Sequence, residues 1–525
     1  MAQGMTSTEA GVETTHGVVR GVVVGTPYGA VRQFLGIPFG KPPVGARRFS
    51  APEAAAPWQG ALDAGAFGPD PVQSTDGPYA GVIPGTSSDS ASEDCLSLNV
   101  WAPLGADAEM PVLVWVYGGA FLTGGGSFPL YNGARLAGEQ RAVVASVNYR
   151  VGALGFMDLR QVPGGAQTTP NCGLHDIRLG LAWAADNAAR FGGDPATLTA
   201  FGESAGAGSI LHLLGSPGIS SVLRRAIMQS PGADMTQSPE TAAAVARVFM
   251  ENAGASDVAG LRRMGPEALL SAQSKTVAAM LAEAGPMPFH PVVDGSLVPA
   301  APAESLRTGT ATDVDVMIGA TAHELRLFHQ ELPARNSERI LHRAVGDHIA
   351  RRTGAPPSEG DAEAVVGEYR QATEGAGWTS DSDIMTAVNT DVTMREPIQR
   401  IADFRAEAGA RTYMYDFCWR SQADPDKGAF HAIDLPFALD AFGVDGWDEF
   451  VGADEAAEAL GRGMRSAWAA FARSGDPSTA GLGPWPRYET DRRMTMIFDA
   501  NPALASDPFQ RARRLWRPAD RGSPQ

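Results

Sequence analysis

Ser204 lies in a segment that could present its hydroxyl as a nucleophile. Residues 202–206 read G-E-S-A-G and follow the apolar run 198–201. In this pattern a short strand turns sharply into a helix, and the serine takes a strained backbone angle that only small neighbours tolerate. The free N–H groups at the start of the helix then point at whatever the serine attacks. Because the chain has 61 glycines, the pattern is also compatible with an ordinary Gly-Ser turn, and other residues must support it.

A nucleophilic serine needs a base, and at this kind of elbow the chain order is serine, acid, histidine. The histidines far enough beyond Ser204 are His290, His323, His329, His342, His348 and His431. His342 and His348 fall in a charged helical stretch that is typical of a protein surface. His431 lies in a loop after the expected strand 412–417, where it can reach over the nucleophile. We therefore predict His431 as the base.

The acid that orients this base is expected after the preceding strand of the sheet. The strand expected at 314–318 leads into a turn that contains His323 and Glu324. An exposed glutamate in a loop is usually only solvated, and His323 is a competing candidate for a role. Position and chain order favour Glu324 as the acid.

Backbone donors for an oxyanion are expected from a glycine-rich turn. Residues 115–121 read W-V-Y-G-G-A-F, and the paired glycines let the backbone approach a substrate oxygen closely. We predict an oxyanion hole made by the N–H groups of Gly119, Ala120 and Ala205. Such donors face the charge that develops in the transition state.

Apolar runs rich in β-branched residues alternate with helical stretches. This predicts an α/β fold with a mostly parallel central sheet flanked by helices. The expected strands are 112–116, 143–147, 198–201, 226–228, 314–318 and 412–417. The expected helices are 178–190, 205–214, 242–252 and 456–472. Segment 72–92 is predicted to be a long surface loop and segment 353–389 a helical part of a lid.

The composition of the chain limits the classes of partner that it is expected to bind. The chain has 525 residues, 44% hydrophobic and 19% charged residues, as in ordinary globular proteins. Its net charge of −17 disfavours nucleic acid and anionic membranes as partners. No apolar stretch approaches the ~20 residues of a membrane span, and residues 1–16 lack the apolar core of a signal peptide. We expect a cytoplasmic protein.

Three cysteines cannot form a disulfide framework, and we expect them to be reduced thiols. No metal-binding or nucleotide-binding motif is present in the sequence, so no cofactor and no metal are expected. No linker divides the chain. We therefore predict one domain over 17–510, with flexible tails at 1–16 and 511–525.

Several segments, in this order, resemble the type-B carboxylesterase (cholinesterase-like) family of α/β-hydrolases, over about residues 17–499. They are F-L-G-I-P-F at 34–39, P-P-V-G at 42–45, E-D-C-L-S-L-N-V-W at 93–101, N-Y-R at 148–150, F-G-G-D-P at 191–195 before the serine motif, P-V-V-D-G at 291–295 and H-A-I-D-L-P-F at 431–437. The resemblance implies the α/β-hydrolase fold with helical cap insertions. It also implies Ser204, Glu324 and His431 as a catalytic triad.

The resemblance further implies the ion pairs Arg48–Glu93 and Arg150–Asp176, with Glu203 and Ser230 in supporting positions around the triad. The chain also departs from the family pattern. Cys95 matches a cysteine that is often disulfide-bonded, but its usual upstream partner is absent, so we expect the 72–92 loop to be untethered and mobile. That loop also lacks the tryptophan with which cholinesterases bind choline, which argues against choline esters.

The implied function is a serine carboxylesterase that hydrolyses short- to medium-chain or aryl esters through an acyl-serine intermediate. Its partner is a small-molecule ester, and the protein is a monomer or a homodimer. A carbamate or amide hydrolase with the same triad remains an alternative. Acyl transfer to an acceptor other than water is a further alternative. A catalytically silent binding protein is a less favoured one, because all three triad residues are present.

Overall fold

An eleven-stranded mixed sheet organises the protein, in the order β16-β15-β14-β13-β12-β11-β9-β10-β8-β4-β3. The computed structural model describes residues 10–75, 81–86, 90–105 and 109–517. The strands are β1 Gly11–Thr14, β2 Gly17–Arg20, β3 Val22–Thr26, β4 Gly29–Pro38, β5 Ala61–Asp63, β6 Asp70–Pro71, β7 Ala91–Ser92, β8 Ser97–Pro103, β9 Val112–Val116, β10 Val143–Val147, β11 Thr199–Glu203, β12 Arg225–Gln229, β13 Asp315–Thr321, β14 Thr412–Phe417, β15 Met494–Phe498 and β16 Ala503–Ser506.

Helices cover the sheet and extend beyond it. They are α1 Ala134–Gln140, α2 Gly152–Phe156, α3 Cys172–Asn187, α4 Ala205–Leu214, α5 Pro239–Ala253, α6 Val258–Arg263, α7 Pro266–Ala279, α8 Leu281–Ala284, α9 Pro302–Arg307, α10 Ser337–Thr353, α11 Glu359–Thr373, α12 Asp381–Thr390, α13 Glu396–Glu407, α14 Leu435–Leu439, α15 Trp447–Val451, α16 Glu455–Ser474 and α17 Gln510–Trp516. A π-helical turn, Asp391–Arg395, joins α12 to α13. No helix within the described ranges is long and apolar enough to cross a membrane.

The middle of the sheet is parallel, as predicted. β10, β9, β11, β12, β13, β14 and β15 pair in parallel, while β8, β4, β3 and β16 add antiparallel edges. Every residue of β9, β10 and β11 is buried, which explains their continuous apolar runs, since a parallel strand packs against helices on both faces. All six predicted strands and all four predicted helices are present, with ends that differ by up to six residues.

The register of the parallel strands brings the expected site residues to one edge. Glu203 at the end of β11 pairs with Gln229 at the end of β12. Gln229 in turn pairs with Gly319 of β13. The turns after β11, β12, β13 and β14 therefore leave the sheet at the same carboxyl edge, where the ligand sites of open α/β sheets lie.

A second, smaller hydrophobic core lies among helices. It is built by α10, α11, α12 and α17 around residues such as Leu341, Ile384 and Trp516. The predicted helical character of 353–389 is confirmed, while its role as a lid stays a prediction.

The predicted flexible tails are wrong for the residues next to the domain. Residues 11–14 form β1, which pairs with β2, and residues 510–516 form α17, whose Trp516 is 1% exposed. Both segments bury apolar side chains that a flexible tail would leave in water. Residues 1–9 and 518–525 lie outside the described residues, and the single domain over 17–510 stays a prediction.

The predicted loop at 72–92 is closed at its base. β6 pairs in parallel with β7 across it, and Gln73 both donates to the carbonyl of Gly124 at 2.7 Å and accepts from its N–H at 2.9 Å. Residues 76–80 and 87–89 lie outside the described residues, so mobility at the tip stays a prediction. Cys95 is a free, buried thiol.

Two ion pairs, one fully and one mostly buried, confirm the expectation from the resemblance. Arg48 and Glu93 approach to 2.5 Å, and Arg150 and Asp176 approach to 2.7 Å. Each arginine reaches its carboxylate with two nitrogens. This bidentate geometry suits a pair removed from water.

Gly206 is a position where we expect a strict requirement for glycine. A Cβ at this residue would lie 2.0 Å from the carbonyl oxygen of Val116, so Gly206→Ala should lower the free energy of unfolding by about 1–3 kcal/mol or more. Gly208→Ala is the matched control, because its Cβ would meet nothing nearer than Phe121 at 3.5 Å. In a helix that change should stabilise by about 0.5–1 kcal/mol. Urea unfolding of both variants tests this, and equal stabilities would contradict it.

Candidate active site

Ser204 sits at a strained turn between β11 and α4. Its backbone angles are φ 53° and ψ −124°, a conformation that is costly for a residue with a side chain. The turn is held because the Ser204 N–H donates to the carbonyl of Gln229 at 2.9 Å, and because Gly202 and Gly206 leave room for the β9 backbone. The half-buried hydroxyl is lifted above the sheet edge, as the sequence pattern predicts.

The structure brings Ser204, His431 and Glu324 together. Nε2 of His431 lies 2.9 Å from Oγ of Ser204, and its Nδ1 lies 2.5 Å from Oε2 of Glu324. The backbone N–H of His431 also donates to the carbonyl oxygen of Glu324 at 3.0 Å. When Nδ1 carries the proton and donates it to the carboxylate, Nε2 is left as an acceptor for the serine hydroxyl.

Glu324 is held ionised although it is fully buried. Burial alone would raise the pKa of its carboxyl group, but the imidazole of His431, Ser230 and the amide of Thr321 together lower it. The Thr321 N–H donates to Oε1 at 2.8 Å, so the two carboxylate oxygens have different donors. Glu324 therefore suits orienting the imidazole and stabilising its protonated form.

A second carboxylate, that of Glu203, faces the same imidazole. Its Oε1 lies 3.1 Å from Nε2 of His431, and burial raises the pKa of Glu203. Burial would lower the pKa of His431, but the charges of Glu203 and Glu324 outweigh it and raise that pKa. Gly118 makes space for this arrangement, because a Cβ there would lie 2.8 Å from Oε2 of Glu203.

These charges make the imidazole of His431 more basic. This gives a prediction for how kcat/KM depends on pH. His431 must be neutral to accept a proton, so a raised pKa moves the acid limb of a kcat/KM profile to higher pH. Glu203→Gln removes one source of the shift, and we expect the midpoint of that limb to fall by about one pH unit. Glu458→Gln, an exposed change on α16, is the control and should leave the midpoint in place. An unchanged midpoint in Glu203→Gln would contradict the electrostatic role of Glu203.

The predicted oxyanion donors lie in a turn with unusual backbone angles. Gly119 has φ 118° and Ala120 has φ 57°, and the carbonyl oxygen of Gly119 accepts from the N–H groups of Leu122 and Thr123 at 2.9 Å. In the described part of the chain, the N–H groups of Gly119, Ala120 and Ala205 donate to no protein acceptor. Ala205 is the first residue of α4, where helix N–H groups lack partners inside the helix.

Other candidates from the sequence lie in different surroundings. The side chain of His290 contacts Met287, that of His329 contacts Thr386 and that of His348 contacts Asn389. Ser230 follows β12 with φ 51°, and its hydroxyl is among the groups that lower the pKa of Glu324. Glu203 and Ser230 thus both lie beside the three central residues.

Two residues near the site have no role in the sequence-based prediction. Asp434 is fully buried and accepts from Nε2 of Gln229 at 2.9 Å, and burial raises its pKa to about 6. Phe328 is 41% exposed, and its ring centre lies 6.0 Å from that of His431. Asp434 has a signal in the sequence, since it lies three residues beyond His431, whereas Phe328 has none.

Comparisons with known proteins find several that are similar to this chain over most of its length. The sequence profile described as "Carboxylesterase family" matches residues 8–516. The chain is 34% identical to a para-nitrobenzyl esterase of Bacillus subtilis (strain 168), over 96% of this chain and 99% of that protein. It is 32% identical to an acetylcholinesterase of Bungarus fasciatus, over 96% of this chain and 85% of that one. A crystal structure of a carboxylesterase of Geobacillus stearothermophilus superposes with a TM-score of 0.82 at 36% identity, covering 97% and 100% of the two chains.

Proposed function

Since the chain belongs to the carboxylesterase family, whose members are serine ester hydrolases, we propose that Ser204, His431 and Glu324 are its catalytic triad and that its substrates are short- to medium-chain or aryl carboxylic esters. The observation that carries the proposal is the continuous contact from Oγ of Ser204 through the imidazole to the Glu324 carboxylate, at 2.9 Å and 2.5 Å. A nucleophile, a base and an orienting acid in contact are the arrangement that acyl transfer through a covalent intermediate needs.

In the first half of the proposed reaction, the Ser204 hydroxyl attacks the ester carbonyl carbon. Nε2 of His431 takes the hydroxyl proton, and Glu324 holds the opposite ring nitrogen and stabilises the imidazolium. The carbonyl oxygen becomes an oxyanion, and the N–H groups of Gly119, Ala120 and Ala205 stabilise it.

In the second half, the tetrahedral intermediate collapses and the alcohol leaves with the proton from His431. Water then attacks the acyl-serine while His431 accepts its proton. The carboxylic acid departs and Ser204 regains its hydrogen. Each group thereby returns to its starting state.

The proposed substrate range rests on the surroundings of the triad and on the relatives. Phe328 presents a partly exposed aromatic ring beside His431, which suits an apolar or aromatic substrate group. One relative is a para-nitrobenzyl esterase, which favours benzyl and aryl esters. Choline esters are not proposed, because segment 72–92 contains no tryptophan.

The test is hydrolysis of p-nitrophenyl esters from acetate to decanoate, with benzyl esters in parallel and matched anilides and carbamates as competing substrates. We expect ester turnover that is highest for short or medium acyl chains. Preferential cleavage of anilides or carbamates would replace ester hydrolysis with the alternative hydrolase. Turnover of none of them would favour a silent binding protein.

A further inference from the structure

A cavity of about 140 Å³ lies beside the segment that carries Glu324, bounded by α11, α12, the π-helical turn and α17. One water needs only about 15 Å³ of such space, so the cavity has room for a group of several atoms. Its charged lining consists of Arg326, Arg395, Arg420, Arg511, Asp383 and Asp391. Four arginines in one cavity stand out in a chain of net charge −17.

Two carboxylates that line the cavity form ion pairs with three of its arginines. Arg326 pairs with Asp383 at 2.9 Å, and Asp391 pairs with both Arg395 at 3.2 Å and Arg511 at 3.6 Å.

A further carboxylate, Asp416, lies 3.6 Å from Arg395. Counting it, three carboxylates face four guanidinium groups. The cavity therefore keeps an excess positive charge.

Arg420 carries this excess. Among the residues that the structure describes, its guanidinium group has no hydrogen bond or ion pair and only stacks on Trp378, 5.1 Å from the ring centre. Arg326 lies over the same ring at 4.2 Å. Two further donors that belong to lining arginines lack hydrogen-bond acceptors in the described part of the chain, Nε of Arg395 and Nε of Arg511.

We propose that this cavity binds a small oxyanion, a phosphate group, through the guanidinium groups of Arg420, Arg395 and Arg511. The planar N–H fork of arginine matches phosphate oxygens with two parallel hydrogen bonds. The wall includes the π-helical turn Asp391–Arg395, a type of irregularity that often lies at functional sites. Phosphate binding in this cavity does not depend on the proposed ester hydrolysis.

The cavity is joined to the candidate active site by His323, which lines it. The N–H of His323 donates to the carbonyl of Ala429 at 2.8 Å, and its Nδ1 accepts from the Ala429 N–H at 2.9 Å. Burial and the charges of Arg395, Arg420 and Arg326 lower the pKa of His323 to about 2, so the ring stays neutral and keeps this acceptor. His323 thus ties the residue before Glu324 to the loop that carries His431, and an anion in the cavity contacts the same support.

Isothermal titration calorimetry of the full chain with inorganic phosphate tests the proposal, with chloride at matched ionic strength as the reference. We expect saturable binding of one phosphate per chain. Arg420→Gln should weaken it at least tenfold, because a charge-assisted pair of hydrogen bonds is lost. Arg420 is exposed, so this variant should fold as the wild type does.

A second variant places an opposing charge at the cavity without removing a cation. Ala372 is an exposed lining residue on α11, and Ala372→Glu should also weaken phosphate at least tenfold. Arg462→Gln, an exposed change on α16, is the matched control and should bind as the wild type does. The absence of saturable binding, or equal affinity in wild type and Arg420→Gln, would overturn the proposal.

A phosphate monoester, phenyl phosphate, distinguishes the two sources of this group. Tighter binding than inorganic phosphate supports a phosphorylated small molecule as the ligand, and weaker or equal binding supports free phosphate. Because none of these titrations measures ester turnover, their outcome is independent of the proposed hydrolase activity.

Discussion

Ser204→Ala is expected to lower kcat for p-nitrophenyl ester hydrolysis by about 10⁴-fold or more. The change removes Oγ, the atom proposed to form the acyl bond, which lies 2.9 Å from the proposed base. Binding of the ester does not need this atom, so KM should change much less than kcat. The residual rate would come from water attacking an ester held by the oxyanion donors. Steady-state kinetics with active-site titration checks this.

Ser209→Ala is the matched control. Ser209 is a fully buried serine on the same helix, α4, and it lies outside the proposed catalytic group. Its replacement should leave kcat within a few-fold of wild type, and both variants should unfold at nearly the wild-type temperature. Ser204→Ala with more than a tenth of the wild-type kcat would remove Ser204 from the role of nucleophile.

The serine turn could be predicted because its causes are local. A strained serine at the end of a strand needs small residues two positions before and two positions after it. In this sequence they are Gly202 and Gly206. The acid and the base are far apart in sequence, at 324 and 431, so no local rule pairs them. Their meeting beside Ser204 could still be predicted, because parallel strands deliver their following loops to one edge in chain order.

The ends of the strands and helices were harder to predict, because pairing between strands and packing between elements decide where each one ends. β13 runs to Thr321, beyond the expected end at 318, since β14 continues the ladder as far as Phe417. Helix α3 begins at Cys172, six residues before its expected start. Its first residues include Gly173, which has poor helix propensity, and packing overrides that preference.

The arginine cavity could not be predicted from sequence, because its charges come from distant segments. Arg326 follows β13, Arg420 follows β14 and Arg511 lies on α17. Each reads in the sequence as a solvated surface charge. The same reasoning explains the error on the C-terminal tail, where Trp516 is buried against helices more than 100 residues away.

Glu324→Gln is expected to lower kcat by about 10³–10⁴-fold, although it preserves the shape of the side chain. Both carboxylate oxygens accept hydrogen bonds, one from the Thr321 N–H at 2.8 Å and the other from Nδ1 of His431 at 2.5 Å. A glutamine has one acceptor oxygen and one NH₂ donor. Its NH₂ group must therefore face another donor, either the N–H of Thr321 or the protonated Nδ1 of the imidazole.

The fixed backbone N–H cannot change its role, but the imidazole can change its tautomer. With the glutamine oxygen on Thr321, its NH₂ group faces Nδ1, and the ring proton moves to Nε2. Nε2 then cannot accept the proton of the Ser204 hydroxyl, and the base is lost without any change of fold. The developing imidazolium also loses its buried counter-charge, which affects the transition state more than the ground state.

Steady-state kinetics and thermal unfolding of Glu324→Gln test this, with Glu267→Gln on α7 as a control that changes the same groups at an exposed position. We expect the loss to fall on kcat, with a melting temperature close to that of wild type. A loss of less than tenfold in a folded variant would show that His431 keeps its tautomer without the carboxylate. Glu324 would then only fill space beside the imidazole, and another carboxylate near the ring, with Glu203 at 3.1 Å the first candidate, would have to stabilise the charge.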